Sequence, residues 1–457
     1  MNNNSKAMCE EALACLAGLS IFSALKKKPI VRFFKKILLQ VVNDTIDPLK
    51  LIQAWAEFTG VFARDNPDKT FYMYWLDLVL ADENTFTLCA ERGQFDENSL
   101  LSSLTRSDLR RLSIIGDFDI PMLALFIADI LWKADYRDSA QLIEEGVRSL
   151  GELRLYNEKL SINTFPYTVL QTQNIRDFAN FLKEHGAGEL ARHTFFSWKE
   201  NQGLVPARNP DTITLDDLSD YEEQRRIVVD NTIRFLEGKG EVNNILLYGD
   251  RGTGKSATVK AICNSFSSRG LRLVELHKQD MSQLTCILST LASRGLRFVL
   301  FIDDLSFESQ NDSYNSLKAL LEGGIEAKPG NIVIYATSNR RHLVKEQVQD
   351  RPDSTAFAAS IKTGDMRAFD TMQEQLSLAD RFGLTVIFAM PSQDDYLRIA
   401  EFIAERRGLL HKDSPTSNLK HFREGALKWE RWFNGRSPRT ARQYVDWFSG
   451  GGGFPWE

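Results

Sequence analysis

The sequence contains few of the residues from which disulfide, zinc or metalloprotease sites are usually built. Its five cysteines (Cys9, Cys15, Cys89, Cys263 and Cys286) are scattered and form no C-x-x-C pair. A disulfide framework or a zinc site of that spacing is therefore not expected. The six histidines include no H-E-x-x-H motif, which excludes that class of metalloprotease. Scattered thiols fit a reducing compartment, so we expect a cytoplasmic protein.

The chain also lacks a long hydrophobic run. Its longest nearly apolar stretch, residues 12–25, is shorter than the roughly 20 residues that cross a bilayer. We therefore expect no transmembrane segment. Glu10 and Glu11 precede the stretch and three lysines follow it, which is the reverse of the flanks of a signal peptide. This stretch predicts a buried or amphipathic first helix.

An excess of positive charge, which is usual in domains that bind duplex nucleic acid, is absent. The chain has 56 Lys and Arg against 61 Asp and Glu, a net charge of −5, and a nucleic-acid partner is therefore disfavoured. Residues 26–36 are an exception, because they hold six basic residues and no acidic one. This segment either contacts phosphate or an acidic membrane surface, or forms the solvated face of a helix, which is the favoured interpretation.

The pattern along the chain predicts several domains. Residues 1–200 show apolar side chains at helical spacing and few strand-like runs, which indicates a helical N-terminal domain. Residues 200–212 have the composition of a linker. Over 201–391, short β-rich runs alternate with helical patterns, which indicates a parallel sheet with helices on its faces. The five runs predicted as strands are Ile245–Tyr248, Arg272–Leu276, Phe298–Ile302, Ile332–Ala336 and Leu384–Phe388. Residues 392–449 again predict helices, and the glycine-rich end, 450–457, predicts a flexible tail.

One motif decides the class of the protein. Residues 245–256 read ILLYGDRGTGKS, a strand followed by the P-loop pattern G-x4-G-K-S, and a helical stretch comes next. Backbone N–H groups of such a loop surround phosphate oxygens, and the helix N-terminus favours their charge. We expect Lys255 to reach the β- and γ-phosphates of ATP and Ser256 to bind Mg²⁺. The predicted nucleotide-binding residues of the loop are Gly249, Asp250, Arg251, Gly252, Thr253, Gly254, Lys255, Ser256 and Ala257.

A second metal residue is expected at the end of a neighbouring strand. Residues 297–304 read RFVLFIDD, a buried strand that ends in two carboxylates, where ligands of open α/β sheets bind. Asp303 is the predicted Mg²⁺ residue. Asp304 lies where a general base polarises the attacking water, and Glu308 is the other candidate for that base.

Three further polar residues lie next to predicted strands or open a helix. Asn339 ends the apolar run NIVIYATSN, where its amide would position water near the γ-phosphate. Arg381 precedes the next strand, in SLADRFGL, and Arg439 opens a helix in GRSPRTARQ. An isolated arginine is usually a surface charge, but the order of these residues along the chain is informative.

Together these motifs resemble the AAA+ ATPases over about residues 211–448. The phrases DDLSFE, YATSNRRHL, SLADRFGL and GRSPRTARQ are similar to an uncharacterised bacterial AAA+ family that is catalogued as a domain of unknown function. The resemblance implies an α/β P-loop module with a five-stranded parallel sheet and a helical lid, preceded by a mostly α-helical N-terminal domain.

The resemblance also implies roles for single residues. Asn339 corresponds to sensor 1, Arg439 to the sensor 2 arginine of the lid, and Arg381 to the arginine finger that reaches a neighbouring subunit. Tyr221, in the segment before the P-loop, would help to form the adenine pocket. The sequence departs from the common pattern at Asp304, where most members have glutamate, and its strength as a base is therefore in question.

These residues predict an ATPase that uses Mg²⁺, assembles as a homo-oligomer and remodels a macromolecular partner. The N-terminal domain would recognise that partner, which we expect to be a protein. Two alternatives stay open. The first is a nucleotide-gated switch or scaffold with slow hydrolysis, which Asp304 favours. The second is a DNA-acting ATPase like replication initiators or helicase loaders, which the acidic charge disfavours.

Overall fold

The protein is described by a computed structural model. The structure describes residues 2–43, 46–65, 70–147, 169–239, 242–305, 317, 321, 329–339, 381–410, 416–433 and 435–450. The chain divides into two compact units. The first contains Met1–Arg192 and Arg294–Leu296, and the second contains His193–Ser293 and Arg297–Glu457.

The first unit is helical, as the apolar periodicity of the sequence predicts. Its helices are α1 (Asn2–Gly18), α2 (Pro29–Val42), α3 (Pro48–Asp65), α4 (Phe71–Leu80), α5 (Thr85–Glu91), α6 (Leu100–Gly116), α7 (Ile120–Lys133), α8 (137–147), α9 (Val169–Thr172), α10 (Ile175–His185) and α11 (Glu189–Arg192). One apolar core runs through the unit and is rich in aromatic rings, among which Phe34 contacts Phe58, Phe71 and Phe118.

The apolar run 12–25 begins in the first helix, whose residues Ala12, Cys15 and Leu16 are buried as predicted, and continues beyond it. Helix α1 ends at Gly18. The chain then turns around the buried carboxylate of Asp108, which accepts hydrogen bonds from the backbone N–H groups of Ser20, Ile21 and Phe22 at 2.8–3.2 Å. Backbone donors buried in an apolar core need such a partner, so this carboxylate stabilises the turn.

Lys26, the first residue of the basic segment 26–36, forms hydrogen bonds with the end of helix α1. The ammonium of Lys26 donates to the carbonyl oxygens of Ala17 and Leu19 at 2.9 and 2.8 Å, and thus satisfies acceptors at the end of α1. Lys36 pairs with Glu57 at 3.2 Å. These contacts support the interpretation of the segment as the polar surface of helices.

The second unit contains a sheet with helices on its faces and a helical end. Its strands are β1 (Phe195–Lys199), β2 (Gly203–Pro206), β3 (Asn244–Gly249), β4 (Leu271–Leu276), β5 (Arg297–Ile302), β6 (Ile332–Ser338) and β7 (Gly383–Phe388). Its helices are α12 (Glu222–Glu237), α13 (Lys255–Phe266), α14 (Leu284–Ala292), α15 (Gln393–Arg406), α16 (Thr416–Trp432) and α17 (Pro438–Ser449).

The predicted fold class is confirmed, with one correction to the strand count. The described strands form a seven-stranded sheet in the order β2-β1-β4-β5-β6-β3-β7, not the five-stranded sheet expected from the resemblance. All neighbours are parallel except β1 and β2. The additional hairpin begins before residue 200 and includes part of the stretch 200–212, which the composition had indicated as a linker.

The order of the strands brings the polar strand ends together. Strand β6 lies between β3, which leads into the P-loop, and β5, which leads into Asp303. In the register, Tyr248 pairs with Ser338, and Ile302 pairs with Ala336. Because these strands are parallel, their carboxyl ends share one edge of the sheet. The P-loop, the two aspartates and Asn339 therefore meet there.

The last three helices pack around their own apolar core, which includes Tyr396, Phe422, Trp429 and Tyr444. The hydroxyl of Tyr444 donates to the carbonyl of Phe422 at 2.8 Å. Residues 451–457, most of the predicted tail, lie outside the described residues. Among the helices that the structure describes, none is both long enough and apolar enough to cross a membrane.

We expect Gly249→Ala to destabilise the protein strongly. Gly249 has φ +144°, and a Cβ atom there would lie 2.0 Å from the carbonyl oxygen of Phe388 in the paired strand β7. Backbone strain and steric overlap of this kind cost about 2 kcal/mol or more. Chemical denaturation would measure the loss. Gly330→Ala is the matched control, because a Cβ at Gly330 meets nothing within 4 Å; equal stability of the two variants would contradict the prediction.

Candidate functional site

A cavity of about 580 Å³ lies in the second unit at the carboxyl edge of the sheet. Its volume is within the range of small-molecule sites, which is roughly 300–1,000 Å³. The wall includes residues 251–258 of the P-loop and α13, the Asp303–Asp304 turn, and the strand-end residues Thr337 and Asn339. Side chains from α15 and α17 complete it. Most of the residues predicted from separate motifs therefore surround one space.

The P-loop adopts a backbone that favours glycine. Gly252 and Gly254 have φ +79° and +91°, a left-handed region that residues with a Cβ atom rarely adopt. Thr253 is buried, and its hydroxyl donates to the carbonyl of Asp250 at 2.8 Å. Lys255 is the first residue of α13. Its ammonium donates to the carbonyls of Gly249 and Asp250 at 3.0 and 2.7 Å. These two bonds connect the end of the P-loop to its beginning.

The environment of Lys255 weakens its charge. Burial lowers the pKa of the Lys255 ammonium from its ordinary value to about 8, while the carboxylates of Asp250, Asp303 and Asp304 oppose this shift and the Arg439 guanidinium adds to it. An ammonium in this position is incompletely compensated. A phosphate anion beside it would favour the charged form of Lys255.

We therefore expect nucleotide affinity to fall as pH rises above 8. In the ligand-free protein Lys255 loses its proton near pH 8, whereas binding of phosphate requires the protonated form. Above that pH, binding takes up a proton, and the dissociation constant rises by up to about tenfold per pH unit. Titration with a fluorescent ATP analogue between pH 7 and 9.5 measures this. Lys255→Arg, which keeps its charge over this range, is the control; a constant wild-type affinity would contradict the prediction.

The oxygen atoms beside the P-loop suit a hard divalent cation. The Ser256 hydroxyl donates to Oδ1 of Asp303 at 2.6 Å, which brings together the two residues predicted to bind Mg²⁺. The described residues contain no group of three or more His, Cys, Asp or Glu side chains able to hold a metal. One hydroxyl and one carboxylate match Mg²⁺ instead, because this ion is usually bound by few protein groups together with substrate phosphates and water.

The second carboxylate of the pair is held by the sensor 1 candidate. Asn339 Nδ2 donates to Oδ1 of Asp304 at 2.8 Å. The backbone of Asp304 is left-handed, with φ +51°, which is uncommon for a residue other than glycine. Its N–H donates to Oγ1 of Thr337 at 2.9 Å. Asp304 is thus fixed at the cavity by neighbouring residues of strand β6 and its end.

Tyr221 lies at an apolar part of the cavity. Its ring is 5.2 Å from that of Phe388, and its hydroxyl donates to the carbonyl of Ala389 at 2.6 Å. Burial raises the pKa of the Tyr221 hydroxyl above its usual range, so it stays neutral. Leu218 and Ile399 also line the cavity. Such apolar walls match the flat ring of a nucleobase.

The helical end contacts the P-loop through the start of α17. The Arg439 N–H donates to the carbonyl of Gly252 at 3.2 Å, and a Cβ on Gly252 would lie 2.8 Å from Oγ of Ser437. Arg439 and Arg442 both line the cavity. Arginines three positions apart lie on one helix face. Helix α17 therefore places two cations at the cavity, of which Arg439 was predicted from the sequence.

Three predicted site residues do not line the cavity. Gly249 and Asp250 form the base of the P-loop instead, where the Asp250 carboxylate accepts the N–H of Met390 at 3.0 Å. Arg381 lies just before β7, whose first residue, Gly383, pairs with Asn244 at the amino end of β3. It is therefore at the opposite edge of the sheet from the P-loop. Glu308, the alternative base, lies outside the described residues.

Of the cavity residues that the sequence did not predict, two polar ones, Thr337 and Arg442, lie beside predicted site residues. Thr337 contacts both aspartates, and Arg442 follows Arg439 on the lid helix. A signal for Thr337 exists, since it is a polar residue within the otherwise apolar run NIVIYATSN, two positions before Asn339. Arg442 could have been found from its helical spacing relative to Arg439.

Comparison with known proteins identifies a family that covers more than half of the chain. The family described as "Protein of unknown function (DUF815)" matches residues 191–452. The predicted resemblance to a domain of unknown function is thus confirmed. No curated protein matches the chain.

Solved structures show weaker similarity. A variant of RuvB from Thermotoga maritima is 18% identical, with a TM-score of 0.33, over 51% of this chain and 63% of that chain. A second Thermotoga maritima RuvB structure, titled as a Holliday junction branch migration motor, is 14% identical, with a TM-score of 0.29, over 51% and 71% of the chains. PCH-2 from C. elegans is 14% identical, with a TM-score of 0.33, over 52% and 70%. The chain spans less than two thirds of the first of these proteins.

Proposed function

We propose that this chain, which belongs to the family described as "Protein of unknown function (DUF815)", is an AAA+ ATPase that binds and hydrolyses ATP with Mg²⁺. One observation carries the proposal: Lys255, the Ser256–Asp303 pair and the Asn339–Asp304 pair face a single cavity. The spacing of these motifs along the sequence does not by itself require their side chains to lie around one cavity. Binding of a nucleoside triphosphate explains why they do.

Each part of ATP has a group suited to hold it. The P-loop N–H groups and Lys255 hold the phosphates, and Arg439 approaches them from the lid. The apolar wall beside Tyr221 holds the adenine. Ser256 and Asp303 would hold Mg²⁺, and this ion would neutralise the negative charge that develops on the phosphates.

The proposed hydrolytic step uses the remaining pair. Asp304 accepts a proton from the attacking water, and the Asn339 amide orients Asp304 and that water. Since Asp304 has a shorter side chain than glutamate, the water must lie close to the Asp303–Asp304 turn. The distance of Arg381 from its own P-loop supports an assembly of several copies, in which this arginine serves a neighbouring site.

The N-terminal unit is the proposed partner-binding part. Its described elements are helices, and its sequence contains no motif of catalytic type. We propose that ATP binding and hydrolysis change the position of the lid, through Arg439, and that this movement remodels a protein partner held by the N-terminal helices.

One observation favours the alternative of a slow nucleotide-gated switch. Asn339 donates to the same carboxylate, Asp304, that would act as base, so one oxygen of that carboxylate is already occupied by a hydrogen bond that a water molecule would otherwise make. A switch would bind ATP tightly and turn over slowly, and single-turnover kinetics in the presence of the partner distinguish it from an active remodelling enzyme.

We expect Asp304→Asn to bind ATP with wild-type affinity and to hydrolyse it at least about a hundredfold more slowly. The amide keeps an oxygen for the bond from Asn339 but accepts no proton from water, and general base catalysis contributes roughly 10²–10⁴-fold. Equilibrium binding and phosphate release measure the two effects separately. In the presence of ATP this variant should retain a partner in a pull-down that Lys255→Ala does not; a wild-type rate for Asp304→Asn would contradict its role as base.

A further inference from the structure

Thr337 makes three hydrogen bonds to three successive residues at the cavity. Its Oγ1 is 2.6 Å from Oδ1 of Asp303 and 2.9 Å from the backbone nitrogen of Asp304. Its carbonyl oxygen accepts the N–H of Leu305 at 2.7 Å. The side chain is 2% exposed. One residue of β6 therefore holds the whole turn that follows β5.

The directions of these bonds are fixed by chemistry. A backbone N–H only donates, so Oγ1 of Thr337 accepts from Asp304. The single hydroxyl proton of Thr337 is then free to go to Asp303. The Ser256 hydroxyl donates to the same oxygen of Asp303, Oδ1, at 2.6 Å. Two donors on one oxygen fix the rotation of the Asp303 carboxylate.

The same hydroxyl also supports the uncommon backbone of Asp304. A residue other than glycine rarely adopts the φ of +51° seen at Asp304, and it keeps this backbone conformation only when neighbouring groups hold it there. Oγ1 of Thr337 holds its nitrogen, and Asn339 holds its carboxylate. The metal residue and the base are therefore positioned relative to each other through one oxygen atom.

We propose that Thr337 is a positioning residue that orients Asp303 toward Mg²⁺ and Asp304 toward the attacking water, an inference that rests on the proposed ATPase function. Its hydroxyl is engaged by Asp303 and by the backbone of Asp304, so it acts through the two aspartates. Groups that hydrogen-bond to metal ligands commonly change metal affinity or activity by 10–100-fold when removed. A role limited to packing would change stability alone.

The test compares Thr337→Val with Thr337→Ser. Valine has the shape of threonine and keeps the backbone bond to Leu305, but it lacks the hydroxyl; serine keeps the hydroxyl. Thr232→Val is the matched control, because Thr232 is also buried and its hydroxyl bonds to Val228 and Tyr335, away from the cavity. The probe is a fluorescent ATP analogue, titrated with Mg²⁺ and also measured in EDTA.

For Thr337→Val we expect wild-type affinity for the analogue in EDTA, a rise of about 10–100-fold in the Mg²⁺ concentration for half-saturation, and a fall in kcat of similar size. Thr337→Ser should restore both values to within about threefold of wild type, given that its hydroxyl can make the same bonds. Thr232→Val should lower the unfolding midpoint without changing the dependence on Mg²⁺.

Unchanged Mg²⁺ dependence in Thr337→Val, or failure of serine to restore it, would overturn the inference. If Thr337→Val does not fold, Thr337→Ala replaces it in the comparison, and loss of folding in both variants would identify a structural role and also overturn it. Absence of nucleotide binding by the wild-type protein is a different outcome, which contradicts the proposed function itself.

Discussion

Lys255→Ala should bind ATP about a hundred- to ten-thousandfold more weakly than the wild-type protein. The ammonium is buried at the start of α13 and faces the cavity. In the proposed complex it donates to two phosphate groups, and each hydrogen bond to a charged group contributes roughly 1.5–3 kcal/mol. The loss of two such bonds corresponds to the stated change in the dissociation constant. Isothermal titration calorimetry with ADP and ATP measures it.

A matched control is available on the same helix. Lys260 is five positions after Lys255 in α13 and is not part of the cavity wall. Lys260→Ala removes the same charge from the protein, so it should bind ATP as the wild-type chain does. Equal affinities of Lys255→Ala and the wild type would show that the P-loop assignment is wrong.

Arg381→Ala should bind ATP normally and lose hydrolysis by about 10³-fold or more, the effect of an arginine finger in other phosphoryl-transfer enzymes. Along the register of β3 and β7, the pair Asn244–Gly383 is five residues from the pair Gly249–Phe388. This corresponds to about 17 Å at the usual rise of a strand. Arg381 lies beyond the first of these pairs, too far away to reach the P-loop of its own chain.

Mixing two inactive variants tests whether the site is shared. In a mixed assembly of Lys255→Ala and Arg381→Ala, some interfaces pair an intact P-loop with an intact arginine. These interfaces should recover part of the phosphate release, whereas each variant alone stays inactive. Co-assembly of the two variants is verified by a tag on one of them.

Arg269→Ala is the control for the loss of an exposed arginine, since Arg269 contacts the Phe266 ring at the far end of α13. It should hydrolyse ATP as the wild type does. Unchanged turnover in Arg381→Ala, or no recovery in mixtures that co-assemble, would count against the arginine finger.

Local patterns in the sequence were sufficient to predict most strands of the second unit. Each of the five runs predicted as strands forms a strand, with bounds that differ by two residues or fewer. Long, apolar and β-branched runs bounded by glycine carry a strong signal. The motif residues that follow them converge because parallel strands end at one edge, a consequence that the strand order confirms. Their roles in binding and catalysis stay predictions.

The features that were missed depend on contacts between distant parts of the chain. Strand β2 contains Gly203 and Pro206, which indicate a turn in isolation, but proline is tolerated on an edge strand such as β2. The carboxylate of the buried Asp108 accepts hydrogen bonds from the backbone N–H groups of a turn that lies 86–88 residues away in sequence. Thr337 is similarly 33–34 residues from the aspartates it contacts. No local pattern encodes these partners.

The most direct test of the proposed function is the rate of inorganic phosphate release at saturating ATP and Mg²⁺. The wild-type protein should release phosphate repeatedly, and omission of Mg²⁺ or the substitution Lys255→Ala, in protein purified identically, should reduce the rate to background. A wild-type rate equal to that of Lys255→Ala, at concentrations where the wild-type protein is saturated with nucleotide and assembled, would contradict the assignment of this protein as an ATPase.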